Sequence, residues 1–296
     1  MYVVAGATGQ TGSAVAEWLL EHGQPVTVIV RSEEKGQPWR SRGAETAIGS
    51  LEDSDTLTRT LANAEGAYLL IPPSYTSGDF VTGQRRVADA LRRAVVDSGV
   101  PHVVFLSSVG AHLDSGTGPI LGLHYAEAVL TPLSRNLTIL RPAYFLENWA
   151  PVLGFAKDSG VLPSFLTPNR KIPMIATEDI GRIAAECLVT PSTGRRIIEL
   201  AGPEDYCPDD IAAILASLLD RDVHVQPVPL SAAVSTFTSA GFSPEAAKLF
   251  EEMYAGLNSG HIVYEQEGAE FREGTVNAAD VLKGLLGRSG TARASA

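Results

Sequence analysis

The sequence predicts an α/β protein: a doubly wound parallel Rossmann sheet with a smaller α/β substrate-side domain. Three observations carry this expectation. An apolar run at residues 2–5 breaks into glycines at 6, 9 and 12 and passes at once into a helical pattern. Short β-branched runs then alternate with amphipathic stretches as far as Leu140, the rhythm of strand–helix–strand units with right-handed crossovers. A chain of 296 residues, 45% of them hydrophobic, can also bury a large core.

The first element is the strand at 2–5, and its turn is Gly6-Ala7-Thr8-Gly9-Gln10-Thr11-Gly12. Gly6 allows the tight turn, Gly9 lets bare backbone approach a pyrophosphate, and Gly12 permits close helix–strand packing. The following helix, with Val15, Trp18 and Leu19 on one face and Gly23 as its stop, presents unpaired N–H groups and a positive dipole end to an anion. Residues 25–30 read as the second strand. An acid near its end would select NAD by bonding the ribose 2′-hydroxyl. Arg31 stands there instead, 19 residues past Gly12, with Ser32 and Lys35 beyond it. A guanidinium holds a 2′-phosphate that an acid would repel, so the cofactor is expected to be NADP (NADPH).

A third strand at 46–48 leads through Gly49, Ser50 and Leu51 to a helix faced by Leu57, Leu61 and Ala64. The buried strand 67–71 ends at Ile71 with Pro72 and Pro73. After a loop comes a long helix carrying Val81, Val87, Leu91 and Val95, closed by Gly99. Strand five (102–106) ends in Ser107 and Ser108, and strand six (137–140) ends in Arg141 and Pro142. Ligands of such sheets lie beyond the carboxyl ends of the strands. Residues 6–12, Arg31, Lys35, Ser50, Leu51, Ile71, Pro72, Ser107, Tyr144 and Phe145 are therefore expected around one nucleotide.

The charge balance narrows the partners. With 23 basic and 34 acidic residues the net charge is −11, which leaves no basic stripe for nucleic acid. Arg85, Arg86, Arg92 and Arg93 read as a solvated helix face. No apolar run approaches the roughly 20 residues that span a bilayer, and with the first strand entered at residue 2 no signal or transit peptide is expected before the fold. Two cysteines are too few for a disulfide framework, so a reduced, cytoplasmic protein is expected, monomeric or homodimeric, acting on a small molecule. Cys187 falls on an apolar helix face and reads as core. No metal-ligand pattern stands out.

On these residues the chain resembles the short-chain dehydrogenase/reductase superfamily, and within it the atypical NmrA-like branch, which includes NADPH:quinone oxidoreductases and nucleotide-sensing regulators. The likeness rests on the segments 6–12, 105–111, Glu127 with 140–148, 175–181 and 199–204. It implies an extended member, with a nucleotide-binding domain over 1–150, a smaller substrate-side domain interleaved with it over 151–286, and a disordered tail over 287–296. In the second half a helix over 177–189, a seventh strand near 196–200, a helix with Ile211, Leu215 and Leu218, a strand near 223–228 and a helix opened by Ser243 and Pro244 are expected. Phe155, Phe165, Met174 and Phe250 are read as core or pocket without choosing among them.

The resemblance fails at its chemical centre. Typical members use a Ser, a Tyr and a Lys four residues after the Tyr, the Lys lowering the phenol pKa. Ser108 (or Ser107) and Tyr125 fill the first two places, but the third is Val129. Tyr125 is then either a substrate-contacting phenol or an ordinary half-buried helix tyrosine. His112 and His124 are the candidates to replace the missing acid. Hydride transfer to a quinone or an activated, enone-type acceptor needs proximity more than an acid. An NADPH-dependent oxidoreductase of that kind is the expected function. The alternative is a redox-sensing regulator that binds NADP(H) without turnover and acts through a protein partner.

Overall fold

A computed structural model describes residues 1–132, 136–265 and 267–293, with side chains as far as Arg288. Its first half runs β1 (Tyr2–Val4), α1 (Gln10–Glu21), β2 (Val26–Val30), α2 (Glu33–Ser41), β3 (Glu45–Ile48) and α3 (Ser54–Leu61). There follow β4 (Gly66–Leu70), α4 (Phe80–Ser98), β5 (His102–Leu106), α5 (Leu121–Leu130) and β6 (Asn136–Pro142). Next come β7 (Tyr144–Phe145), α6 (Leu153–Ser159), β8 (Val161–Ser164), β9 (Ile172–Ile175), α7 (Thr177–Val189) and β10 (Gly194–Ala201). The chain closes with β11 (Asp205–Tyr206), α8 (Pro208–Leu219), β12 (His224–Pro227), α9 (Ala233–Ser239), α10 (Pro244–Ser259), β13 (Glu270–Glu273) and α11 (Ala278–Arg293).

Eight strands form one sheet in the order β3-β2-β1-β4-β5-β6-β10-β13, every pair parallel. The order reverses between β1 and β4, the crevice where such sheets take their ligands. Both faces are covered. Val15, Ala16 and Leu19 of α1 meet Ile180, Ile183 and Ala184 of α7 on one side. Leu57, Leu61, Leu91, Val95 and Leu130 cover the other. Strands buried on both faces read as continuous apolar runs, which is why they stand out in the sequence.

The second half threads back into this sheet through α7, β10 and β13. Gly181 lets α7 ride directly on α1, since a Cβ there would collide with Ala14. Glu147 accepts from the Thr177 N–H and hydroxyl, capping α7 from outside (Ala176 has no side chain to do so). Asp179, buried in the first turn of α7, accepts from the N–H groups of Thr275 and Val276. The remaining pieces make a third core around Leu146, Trp149, Leu153, Ile211, Leu215 and Leu282, with two small sheets, β11-β9-β7 and β12-β8.

Three elements depart from the sequence expectation. Helix α2 forms despite Gly36 and Pro38, because Ser32 caps it and Trp39 is buried beneath it. The edge strand β13 carries three charged residues and exposed Phe271, so no apolar alternation marks it. The tail expected to be disordered from Gly287 is helical through Arg293, as the end of α11, while residues 294–296 lie outside the described residues.

Candidate nucleotide and acceptor site

The three glycines of the first turn serve three purposes. Gly6 has φ +68°, and a Cβ on it would lie 2.7 Å from the Leu70 side chain. A Cβ on Gly12 would strike the Gly6 carbonyl. A Cβ on Gly9 would meet nothing closer than Gly6 O at 3.4 Å, an ordinary contact, so Gly9 faces open space. The loop thus offers bare backbone outward while its other two glycines hold it down. Gly9 is also the N-cap of α1 with no side-chain bond and no acid in the first turn, leaving those N–H groups for an anion. A pyrophosphate fits this cradle.

Beyond it, the expected residues stand at the carboxyl ends of successive parallel strands. Arg31 ends β2, exposed, with no hydrogen-bond or ion-pair partner among the described residues. Lys35 lies exposed in the first turn of α2, and its N–H reaches the capping Ser32 at 3.4 Å. Ser50 holds the turn after β3 by accepting from Glu52 N at 3.2 Å, and Leu51 rests on the end of the sheet. Ile71 is buried after β4 with Pro72 beside it, and Tyr144 and Phe145 form β7 just after β6.

The catalytic candidates divide. Ser107 is buried and donates to Glu127, which also takes two bonds from Arg141 at 2.9 and 2.6 Å; this serine ties β5 to α5. Ser108 donates to its neighbour's carbonyl, Val109 O, at 3.0 Å. Tyr125 is not in the cleft. Its hydroxyl donates to Asp89 at 2.9 Å on the outer face of α4 and α5, with Arg85 over the ring. The Asp89 bond pushes its phenol pKa up, the reverse of what an acid catalyst needs. This placement is that of a half-buried helix tyrosine, and the reason is angular. One residue back is about 100° round the helix, so His124 shares the face of Glu127 and points to the strand ends. His124 Nδ1 lies 2.8 Å from Ala111 O in the turn after Ser108. A carbonyl only accepts, so Nδ1 carries the proton and Nε2 is left without a protein partner among the described residues. His112 is half-buried, and its Nδ1 is enclosed without a partner.

What sequence reading missed is a ring cluster over the end of β6. Tyr144 meets Tyr254 of α10, the two hydroxyls 3.4 Å apart, and burial pushes the Tyr144 phenol well above its ordinary value. Phe165, Phe237, Phe242, Phe250 and Tyr75 complete it, with centroids 4.6–6.1 Å apart. The four aromatics between 237 and 254 were the available signal. Of the four residues left open, Phe165 and Phe250 join the cluster, Met174 is core and Phe155 is exposed.

A separate cleft of about 700 Å³ lies behind the loop, between α1, α7 and α11. It touches Gly9 and Gln10 but none of Arg31, Ile71, Ser107 or Tyr144, and its walls carry Glu17, Glu21, Glu147, Glu178 and Asp280 against Arg182 and Arg288. Its balance is acidic, which makes it a poor setting for phosphate.

Fold and loop together define a dinucleotide-binding α/β protein. Comparison narrows this further: residues 2–267 match the NmrA-like family, and the chain belongs to it. It is 27% identical over 259 residues to an NAD(P)H azoreductase of Xenophilus azovorans, covering 86% of each chain. In structure it is similar to an NADPH-dependent quinone oxidoreductase of Escherichia coli in complex with NADPH, with TM-score 0.78, 23% identity and coverage of 97% and 100% of the two chains. A triphenylmethane reductase of Citrobacter sp. in complex with NADP(H) gives TM-score 0.76, 21% identity and coverage of 96% and 99%. The chain is an NAD(P)H-dependent oxidoreductase. Among the described residues no helix is long and apolar enough to cross a membrane, and no cluster of His, Cys, Asp and Glu is placed to hold a metal.

Proposed function

We propose that this oxidoreductase uses NADPH to reduce flat, conjugated acceptors, quinones first and activated enone-type molecules second. The observation that carries the reading is the ring cluster around Tyr144, at the strand ends where the nucleotide site finishes. Stacking on such rings favours planar π-systems of many kinds and is indifferent to their hydrogen-bonding groups. The azo compounds and quinones named for two of the relatives are flat conjugated systems, and the triphenylmethanes named for the third carry aromatic rings that can stack singly.

Residues 6–12 would hold the pyrophosphate, with Gly9 nearest. Arg31 and Lys35, beside the dipole end of α2, would hold the 2′-phosphate and so favour NADPH over NADH. Ser50 and Leu51 flank the adenine side, Ile71 and Pro72 the middle, and Ser107, Tyr144 and Phe145 the nicotinamide side. Once bound, the reduced nicotinamide supplies a hydride. The protein's share is to stack the acceptor, exclude water, and offer His124 Nε2, which takes up a proton from solvent to give the imidazolium and then hands it on where the acceptor's own anion is too basic to wait for water.

Oxidation of NADPH and NADH across quinones, enones and aldehydes tests this. Quinones should turn over fastest, enones more slowly and aldehydes not at all, with NADPH preferred. Tight nucleotide binding with no acceptor reduced would sink the reading in favour of the redox-sensing regulator. A pull-down with and without NADP would follow.

A further inference from the structure

Within the ring cluster, Phe237 differs from its neighbours in how it is mounted. Its ring is packed among four others: Phe242 at 5.2 Å, Phe165 and Phe250 at 5.4 Å, and Tyr254 at 6.1 Å. Tyr254 is nearly parallel to it at 15°, while Phe242 and Phe165 are tilted by 34° and 35°. A space walled by rings on four sides, one of them parallel, can take a flat ring.

The walls of the slot are pinned. Asn258 donates to Phe165 O at 2.8 Å and accepts from Thr167 N at 2.9 Å, fixing the Phe165 segment to α10. Ser243 N donates to Tyr75 O at 2.8 Å, and Glu245 accepts from Phe80 N at 2.9 Å, tying the loop after β4 to the start of α10. Tyr254 meets Tyr144, which follows β6 directly.

The ring in the middle has no such anchor. It rides on α9, seven residues long, in which Ala233 alone is buried. Among the described residues the hydrogen bonds of this helix are all local, such as Ala240 N to Thr236 O and Phe242 N to Phe237 O, both 3.0 Å. The helix ends at Ser239, and Gly241 two residues on has φ +93°, a turn with open space around it.

We infer that Phe237 occupies the acceptor's place in the resting protein and sets the size of the acceptor that enters. A conjugated acceptor displaces this ring and takes over its stacking partners, so the exchange replaces one set of face contacts by another while the pinned walls stay still. Small quinones need a partial shift of α9; wider ones need Phe237 out of the slot altogether. The inference rests on the acceptor reading above, and its test does not need turnover.

The test is calorimetric titration of the nucleotide-free protein with anthraquinone-2-sulfonate and with benzoquinone, for the parent, Phe237→Ala and Phe237→Trp. Removing the ring should tighten anthraquinone-2-sulfonate binding about tenfold or more, the scale on which a pocket senses bulk, and change benzoquinone binding less. The larger indole should weaken the three-ring probe. NADPH affinity, measured separately, should stay at the parent value in both variants and shows that they are folded. Equal affinities in all three proteins would overturn the inference, and so would loss of quinone binding in Phe237→Ala, because the ring would then be a wall and not an occupant. Should the parent bind both quinones but oxidise no NADPH with either, the proposed activity fails while the slot stands.

Discussion

The two ends of the strand-end cleft are built from different materials. At the proposed nucleotide end, contact with the ligand would be made by backbone: Gly9 faces open space, the first turn of α1 has no side-chain cap, and the side chains that matter are the missing ones. At the proposed acceptor end, contact would be made by rings drawn from the loop after β4, from β7, from residue 165, and from α9 and α10. A backbone site is rigid and fixes one ligand. A side-chain site repacks and admits a class of them. One fold can therefore keep its reductant constant while its acceptor varies.

The largest effect that tests this contrast lies within the glycine loop. Gly9→Val should abolish NADPH binding in a protein that still folds, because the added side chain projects only toward the ligand. Gly12→Ala should instead destabilise the fold by about 3 kcal/mol or more, since its methyl group meets backbone that has no room to move. Thermal melts and nucleotide titrations on both variants separate the two outcomes. Parent-like NADPH affinity in folded Gly9→Val would remove the basis for the nucleotide end.

Next in size is Arg31→Ala. NADPH affinity should fall about ten- to a hundredfold, the cost of a lost hydrogen bond to a charged group, with NADH nearly unchanged. Equal losses for both would show that Arg31 does not read the 2′-phosphate. Smaller again is Tyr125→Phe, whose phenol is spent on Asp89 away from the cleft. Turnover on the best quinone should stay within about twofold of the parent, as for other surface changes. A thousandfold loss in a folded variant would mean a proton route through α5 that this geometry does not provide.

The smallest effect is on stability against pH. His102, at the start of β5, is buried with Nε2 3.0 Å from Cys187 O, and burial lowers its pKa. A histidine with a depressed folded pKa leaves the unfolded chain binding more protons. Its contribution is therefore intact above the unfolded value, about 6.5, and is lost as pH falls from there toward the lowered folded value. Denaturant midpoints between pH 7 and 5 should drop more for the parent than for His102→Gln. Parallel curves would refute the assignment.

The same contrast explains what could be read in advance. The glycine turn and the parallel, doubly wound sheet were legible because each depends on local backbone chemistry or on the alternation of strands and helices along the chain. Glu127 and the 175–181 segment were visible as motifs, but their work as a tie to Ser107 and Arg141 and as caps through Glu147 and Asp179 needs residues far apart in sequence. The choice between Tyr125 and His124 turns on the rotation of one helix by a single residue. No periodicity resolves that without knowing where α5 lands. The ring slot joins residues 75 to 254, and composition alone does not say that these rings meet.

The seat of α7 on α1, made possible by Gly181, reaches back to the birth of the chain. A ribosome has finished the whole glycine loop and six strands of the sheet by residue 142, yet the helix that covers Val15, Ala16 and Leu19 is complete only at Val189. At about 5–20 residues per second, the nascent nucleotide-binding half spends several seconds with an apolar stripe open to other chains. A fragment ending at residue 150 should for that reason aggregate or recruit a chaperone, and adding the segment through Val189 in trans should rescue it.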